Sequence, residues 1–478
     1  MMRRCKTHVP AKLGGGCFGL GAEGGAACAR RQRGGGRGTV LIVTMWILVV
    51  LSGMVLVLAG SLRIEGACSA NYAAQQQAAA IEKGAIQYVL ASVDGLNGQV
   101  PTEADMPCRG VRIGEGAFWI LRPDYEDGRQ EVYGVVDEAS KVNLNAATQE
   151  MLSALPDMTP EIAAGILDWR DADSDLTVGG AESEYYLLLA DPYECKNAPL
   201  ETIEELLLVN LTSKELLFGE DTNRNGRLDD NEDDADEADP PDDRDGRLDA
   251  GIFGLVTVYG SESNIDASGS ERINVNQAAA GDLTELLSQS ISQDRLRDIL
   301  NRARLGRPFQ NILDFYYRTG LTMEEFQPVA DQLTTQSGST TRGLVNVLTA
   351  PRQVLLCLPN LEESDVTALI AARAGEKVDQ DSIAWVADAL DQAKAIAIGG
   401  LITARSYQFS ADIVSVSANG RAFRRCRIVV DASDSPPRVI YRQDLTSLGW
   451  PLPQEILLDL RSGRPVEEAL EAARQEVR

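Results

Sequence analysis

Histidine is all but missing from these 478 residues, the one copy being His8. Beyond it no imidazole is available, so Ser–His and Cys–His nucleophiles and histidine-held metals are excluded from the rest of the chain. Cysteine is sparse and scattered. Cys5, Cys17 and Cys28 lie near the start. Cys68, Cys108, Cys195, Cys357 and Cys426 follow, far apart and odd in number, which is neither a disulfide framework nor a zinc spacing. A Gly-x-Ser-x-Gly elbow and a phosphate loop are absent too. Positive charge is short: 45 Lys and Arg face 71 Asp and Glu, a net charge of −26. Phosphate binding needs clustered cations, so this balance argues against a nucleic-acid partner.

Long apolar runs are absent with one exception, Thr39 to Ala59. As a helix it spans roughly 31 Å, about the thickness of a bilayer core. Residues 1–38 precede it and carry Arg3, Arg4, Lys6, Lys12, Arg30, Arg31, Arg33 and Arg37 against Glu23 alone. That charge order keeps the N-terminus in the cytoplasm and sends the rest across the membrane. A signal anchor that is never cleaved fits this pattern. A secretory signal peptide fits worse, because Ser61–Leu62–Arg63 is a poor small-residue cleavage site. An amphipathic pattern continues through Ile64, Tyr72, Ile81, Ile86 and Leu90, so one helix is expected over residues 39–95.

A length of 478 residues allows two to four domains. Asp94–Gly95–Leu96–Asn97–Gly98 breaks the helix. Within residues 96–140, Val111–Ile113, Ala117–Leu121 and Glu131–Val136 alternate as strands around a turn at Pro123–Gly128, an expected antiparallel meander. Residues 405–445 supply further strands at Ser406–Val416, Arg424–Val430 and Arg438–Arg442, with an Asn419–Gly420 hairpin. One sheet is expected from both parts. The tail, 446–478, is expected to hold a short exposed helix after Pro453.

Between these parts an internal repeat stands out. Lys141–Val142–Asn143–Leu144–Asn145–Ala146–Ala147 recurs as Arg272–Ile273–Asn274–Val275–Asn276–Gln277–Ala278 and, more weakly, as Leu344–Val345–Asn346–Val347–Leu348–Thr349–Ala350. Each copy precedes three segments of helical apolar spacing. The units run over 141–219, 272–336 and 344–404 and resemble helix-hairpin-helix or SAM-like bundles. The hairpins at Pro156–Thr159 and Pro359–Glu362 lack the glycines through which such units meet DNA phosphates, so structural packing is the reading adopted.

The acidic segment 220–250 follows the first unit. Asp221, Asn223, Asn225, Asp229 and Glu232 stand at positions 1, 3, 5, 9 and 12 of a loop, with Gly226 at 6 and the Arg227 carbonyl at 7. This is EF-hand spacing, and hard oxygen donors favour calcium. A partial copy offers Asp243, Asp245, the Arg247 carbonyl and Asp249, but Ile252 stands where the last Glu belongs. Read by charge alone, the segment is a solvated linker around Pro240–Pro241.

Arg37–Gly38 abutting the apolar run resembles the processing junction of type IV pilins and type II secretion pseudopilins. In that family a prepilin peptidase cuts after the Gly, here between Gly38 and Thr39, and the new N-terminus is methylated. Most members carry Glu at the fifth mature position; Val43 here resembles the K-type minor pseudopilins, which lack it. Asp168–Trp169–Arg170–Asp171–Ala172–Asp173 and Tyr185–Tyr186 resemble the helical domain of the same family. The resemblance spans most of residues 38–445. It implies an α+β fold: a pilin-like N-terminal transmembrane helix (39–59), an antiparallel sheet, and a large inserted all-α domain over 141–404. It implies a single-pass inner-membrane protein with a periplasmic head, capping the tip of a pseudopilus. The implied partners are the I- and J-type minor pseudopilins and the inner-membrane secretion platform. No enzymatic role is expected. Two other readings share these features: a membrane-anchored, calcium-binding minor pilin or adhesin, and, with less support, a periplasmic hydrolase using carboxylates alone.

Overall fold

The computed structural model describes residues 37–123, 132–229, 232–233, 245–306, 308–375 and 378–464. One helix runs over Arg37–Val93. The chain divides into two compact units, Met1–Cys68 and Ser69–Arg478. In the first, the apolar side chains from Val40 to Leu58 are exposed, and the helix is long and apolar enough to cross a membrane. The basic residues 1–36 lie outside the described residues.

In the second unit the helix buries Ala74, Ala78, Ile81, Ala85, Val89 and Val93. Spacings of three and four place these on one face. The expected stripe is corrected here: Ile64 and Tyr72 are exposed. The buried face is mostly Ala and Val, whose small side chains bring the helix close to the sheet beneath. Gly84 shows how close, since a Cβ there would stand 2.8 Å from Ile113 Cδ1.

The first strands are β1 (Val111–Ile113), β2 (Gly116–Arg122), β3 (Val132–Tyr133) and β4 (Val136–Asp137). Strands β1 to β3 pair antiparallel in sequence. The expected single strand to Val136 is split at Gly134, whose φ of 146° only glycine adopts readily. The turn expected at 123–128 falls largely outside the described residues.

After β4 the chain leaves the sheet, and the repeat shows its structural meaning. Strand β5 (Val142–Asn143) pairs in parallel with β6 (Val256–Thr257). After β7 (Ser261–Ser263), β8 (Ile273–Asn274) pairs in parallel with β9 (Leu333–Thr334). After β10 (Thr340–Arg342), which lies antiparallel to β7, β11 (Val345–Asn346) pairs in parallel with β12 (Ile402–Thr403). The insert is therefore not all-helical. Each opening Asn folds its side chain onto the backbone: Oδ1 of Asn143, Asn274 and Asn346 accepts from the amide two residues on, each at 2.9 Å. Each closing Thr does the same, with Oγ1 of Thr257, Thr334 and Thr403 accepting at 3.0, 3.0 and 3.1 Å. These turns stop both strands after two residues.

Helices fill each repeat between its paired strands: Gln149–Ser153 and Pro160–Arg170, Ala280–Leu287 and Gln293–Gly306, Arg352–Leu356 and Glu363–Arg373. Arg170 and Arg373 hold equivalent places, donating to Leu144 and Ala147 carbonyls in one repeat and to Val347 and Ala350 carbonyls in the other. In the glycine-free hairpins Asp157 and Asn360 take left-handed φ values of 54° and 62°. Two of the third segments are less regular than expected: Ile203–Leu208 is a 3₁₀ helix, and of the stretch Ile383–Leu390, Val386–Ala389 is the helical part. One continuous apolar core joins all three repeats, from Val142 through Val275 to Ala404.

The chain returns as β13 (Gln408–Val416), β14 (Phe423–Asp431) and β15 (Arg438–Asp444). The sheet order is β1-β2-β13-β14-β15, antiparallel throughout, with β3 beside β2 and β4 beside β13. Alternation gives it two buried faces. Phe118, Ile120, Ile413 and Ile428 face the N-terminal helix. Trp119, Val414 and Val416 face the other way, onto Trp450, Ile456, Leu457 and Leu460. The expected exposed tail helix is thus corrected. Helix Gln454–Arg461 closes the sheet's second face, and each buried Ile or Leu contributes about 1.5–3 kcal/mol of transfer energy. Residues 465–478 lie outside the described residues.

Candidate metal centre

Asp221 opens the acidic loop from a buried position. Its Oδ1 accepts from the Asn225 amide at 2.9 Å and its Oδ2 from the Gly226 amide at 2.8 Å. The chain turns tightly enough for this because Arg224 and Gly226 have φ values of 56° and 68°. Asn225 Oδ1 then accepts from the Arg227 amide at 2.7 Å. Asn223 and Asn225 both donate Nδ2 to Asp229 Oδ2, at 2.6 and 3.0 Å. Glu232 is buried and folds back: Oε1 accepts from the Thr222 amide and hydroxyl at 3.0 and 2.9 Å, and Oε2 from the Asp229 amide at 3.1 Å. The loop residues at positions 1, 3, 5, 9 and 12 therefore close on one another. Asn223 Oδ1 is buried with no hydrogen-bond partner.

Burial raises the Asp221 carboxyl to about 6, against hydrogen bonds from the Gly226 and Asn225 amides. Burial, then the charge of Asp221, raises Glu232 to about 7. Burial thus disfavours the charged form of both acids, which a proton at lower pH or a nearby cation relieves. Among the described residues no three His, Cys, Asp or Glu side chains are gathered as a metal site. The oxygen donors of this loop include two asparagines and a backbone carbonyl, and its carboxylates accept from backbone amides and from the side chains of Thr222, Asn223 and Asn225.

The loop is clamped to the sheet by residues that the sequence pattern did not single out. Arg425, on β14, is fully buried. It donates to the carbonyls of Asn223 and Arg224 at 2.5 and 2.6 Å. It also grips Asp412 on β13, with Nη2 to Oδ2 at 2.6 Å. Asn225 Nδ2 reaches the Pro451 carbonyl at 3.2 Å. Arg224 lies over the Phe218 ring at 3.9 Å and pairs with Glu204 at 3.2 Å. The one visible signal was Arg424–Arg425–Cys426–Arg427, a cationic run on a strand of an acidic chain.

The partial copy is arranged differently. Asp243 lies outside the described residues. Asp245 and Asp249 are exposed, and Asp245 Oδ1 accepts from the Arg247 amide at 2.7 Å. Asp249 pairs through its backbone with Glu220, carbonyl to amide at 2.7 Å and amide to Oε2 at 3.2 Å. Ile252 is buried in the insert core, so position 12 is a packing residue. At the other proposed functional site, Gly38 and Thr39 lie in the first turn of the helix Arg37–Val93.

Comparison with known proteins gives two findings. Residues 132–217 match the family model described as Type II secretion system (T2SS), protein K. The chain is also similar to a solved structure described as the crystal structure of the GspK-GspI-GspJ complex from the enterotoxigenic Escherichia coli Type 2 Secretion System. That match has 12% identity and a TM-score of 0.39, and covers 80% of this chain and 98% of that chain. No curated protein matches in sequence.

Proposed function

We propose, from the premise that the chain belongs through residues 132–217 to the protein K family of type II secretion, that it caps a periplasmic pseudopilus and helps start its assembly. The family match carries this reading, because it falls on the β3–β5 segment and the first helical repeat, the part that enlarges the head. A pilin-type subunit stacks through its N-terminal helix with the head outside. A head swollen by the insert between β4 and β13 obstructs a subunit above it, so the end of the filament is its natural place. Val43 fits the same place. A buried carboxylate at that position is costly unless paired, and a terminal subunit has no neighbour above to pair with.

The apolar stretch anchors the protein in the inner membrane as a single pass, with the head in the periplasm. The partners are the I- and J-type minor pseudopilins, held by apolar helix packing along Leu41, Leu48 and Val55, and the inner-membrane secretion platform. The inserted repeats are structural units of helix-hairpin-helix or SAM-like kind, without catalysis. Co-purifying residues 69–478 with the soluble heads of I- and J-type pseudopilins is expected to give one defined complex. Crosslinks placing this subunit all along a filament shaft, or full secretion in a strain lacking it, would overturn the tip reading.

Prepilin peptidase is expected to cut after Gly38. N-terminal sequencing of the membrane-extracted protein then begins at a methylated Thr39; an intact leader or a cut past Ala59 rejects this.

The 221–232 loop is proposed to bind calcium through Asp221, Asn223, Asn225, Asp229, Glu232 and the Arg227 carbonyl. Bound calcium would supply the positive charge that the buried Asp221 and Glu232 lack. The raised acids set the pH dependence. Without metal, their favourable protonated state holds below about pH 4, and its stabilisation is lost as pH rises through 6 to 7. Calcium must displace those protons, so affinity is expected to rise on the order of a hundredfold from pH 5.5 to pH 8. Calorimetry at both pH values tests this, and a flat profile rejects it. Glu232→Gln is expected to weaken binding strongly at pH 8.

A further inference from the structure

A cavity between the second and third repeats takes no part in the tip reading. Its volume is about 80 Å³, several times the roughly 10–15 Å³ that one water needs. The repeats are pinned to one another beside it. Asn311 Nδ2 donates to the Ile396 carbonyl at 2.7 Å, and a Cβ on Gly399 would stand 2.6 Å from Asn311 Oδ1.

Five charged side chains run in alternating sign along this cavity. Glu262, on β7, pairs with Arg272 at 2.7 Å, and Arg272 with Asp331 at 3.1 Å. Asp331 pairs with Arg405 at 2.8 Å, and Arg405 with Asp381 at 3.5 Å. The inner members are well served. Burial opposes the charge on Arg272, yet Glu262 and Asp331 outweigh burial and raise its pKa. Asp331 also accepts from the Ala267 amide at 2.7 Å.

The two ends of the series are acids, and both are poorly served. Glu262 is 5% exposed, and its Oε2 has no hydrogen-bond partner. Asp381, with a side chain 39% exposed, makes the longest pair of the series. Glu262 and Asp381 line the same cavity, together with Arg272 and Asp331. Among these described residues three carboxylates face two guanidiniums, so one negative charge is in excess. A buried acceptor without a donor and a buried charge without a counter-charge are both costly.

We propose that this cavity binds one guanidinium group, which closes the alternating series into a ring between Glu262 and Asp381. A monocation cancels the excess charge; a divalent ion would reverse it, and an anion would deepen it. A guanidinium is weakly hydrated and presents a planar fork of N–H donors, so it enters a buried site more readily than an ammonium and can serve two carboxylates at once. The cavity has room for the head of a side chain and none for a folded segment. The group is carried either by a small free guanidine or by an arginine side chain of a partner protein. The site rests neither on the tip reading nor on the 221–232 loop.

The test uses the full chain in detergent, with methylguanidinium and the pentapeptide GGRGG as probes. Binding is read by saturation-transfer NMR and by the shift of the melting temperature. Glu262→Gln is expected to weaken binding about tenfold and to abolish the melting shift, because it removes the charge at the buried end. Asp381→Asn, on the half-buried acid at the other end, is expected to weaken it by a similar factor and decides the matter if Glu262→Gln does not fold. Glu201→Gln, on an acid with a side chain 83% exposed, is expected to leave binding unchanged and so separates the cavity from the general attraction of an acidic chain. Binding of GGRGG assigns the guanidinium to a partner's side chain; binding of methylguanidinium without GGRGG assigns it to a free guanidine. Binding of neither overturns the site, as does unchanged binding in folded Glu262→Gln or Asp381→Asn. Equal binding of methylammonium overturns the choice of guanidinium.

Discussion

Arg425→Ala is expected to destabilise the head, residues 69–478, by about 3–5 kcal/mol. The guanidinium is fully buried, and its partners include Asp412 and the carbonyls of Asn223 and Arg224. Truncation strands the Asp412 carboxylate, which is mostly buried beside it. It also frees two carbonyls that hold the acidic loop against β14. A buried acceptor that loses its donor costs roughly 1–3 kcal/mol on its own. Urea unfolding measures the loss as a lower midpoint at unchanged slope. Arg425→Met with Asp412→Leu is expected to recover part of it, because no charge is then left unpaired. A full-strength fold in Arg425→Ala would show that the clamp is not structural. If the loop binds calcium as proposed, the same variant lowers its affinity, since the loop backbone is no longer held.

Glu138→Ala is expected to cost a similar amount, about 3–5 kcal/mol. Glu138 and Lys141 are both buried and meet at 2.7 Å. Glu138 also accepts from Thr257, and Arg427 stands at 3.8 Å. Burial opposes its ionisation, yet Lys141, Arg427 and hydrogen bonds from Lys141 and Ser410 outweigh burial and hold the carboxyl at about 2. Removing it strands the Lys141 ammonium, which burial already pushes down. Lys141→Met is expected to cost less, because Arg427 and Thr257 still serve Glu138. The depressed carboxyl fixes the pH sign: its stabilisation is full above the unfolded value near 4 and is lost as pH falls towards 2. Acid titration of the wild type followed by circular dichroism is expected to show that loss, and Glu138→Gln to flatten it. An equal acid slope in wild type and Glu138→Gln would assign the loss to other carboxylates.

Much of the fold was legible because it is local. Period-two alternation marked Ala117–Leu121 and Ser406–Val416, and both are strands of one sheet. The Val-Asn and Ile-Asn openings marked the repeat. Their partners, Val256–Thr257, Leu333–Thr334 and Ile402–Thr403, went unread because a two-residue strand has no period of its own. The N-terminal helix misled over its buried face: hydropathy pointed to Ile64 and Tyr72, while close packing selected Ala74, Ala78 and Ala85. Tail residues Ile456, Leu457 and Leu460 looked like a polar helix's few apolar members until Trp119 and Trp450 covered them.

The sequence by itself determined the apolar stretch, the basic segment before it, the strands, the repeat and the spacing of the acidic loop. Each is written in neighbouring residues, where backbone geometry converts spacing into position. Only the tertiary structure decided that Arg425 clamps a loop 202 residues away and that Glu138 meets Thr257 across 119 residues. The physical reason is that a charge's partner is chosen by whichever segment the topology buries beside it, and chain spacing carries no record of that choice.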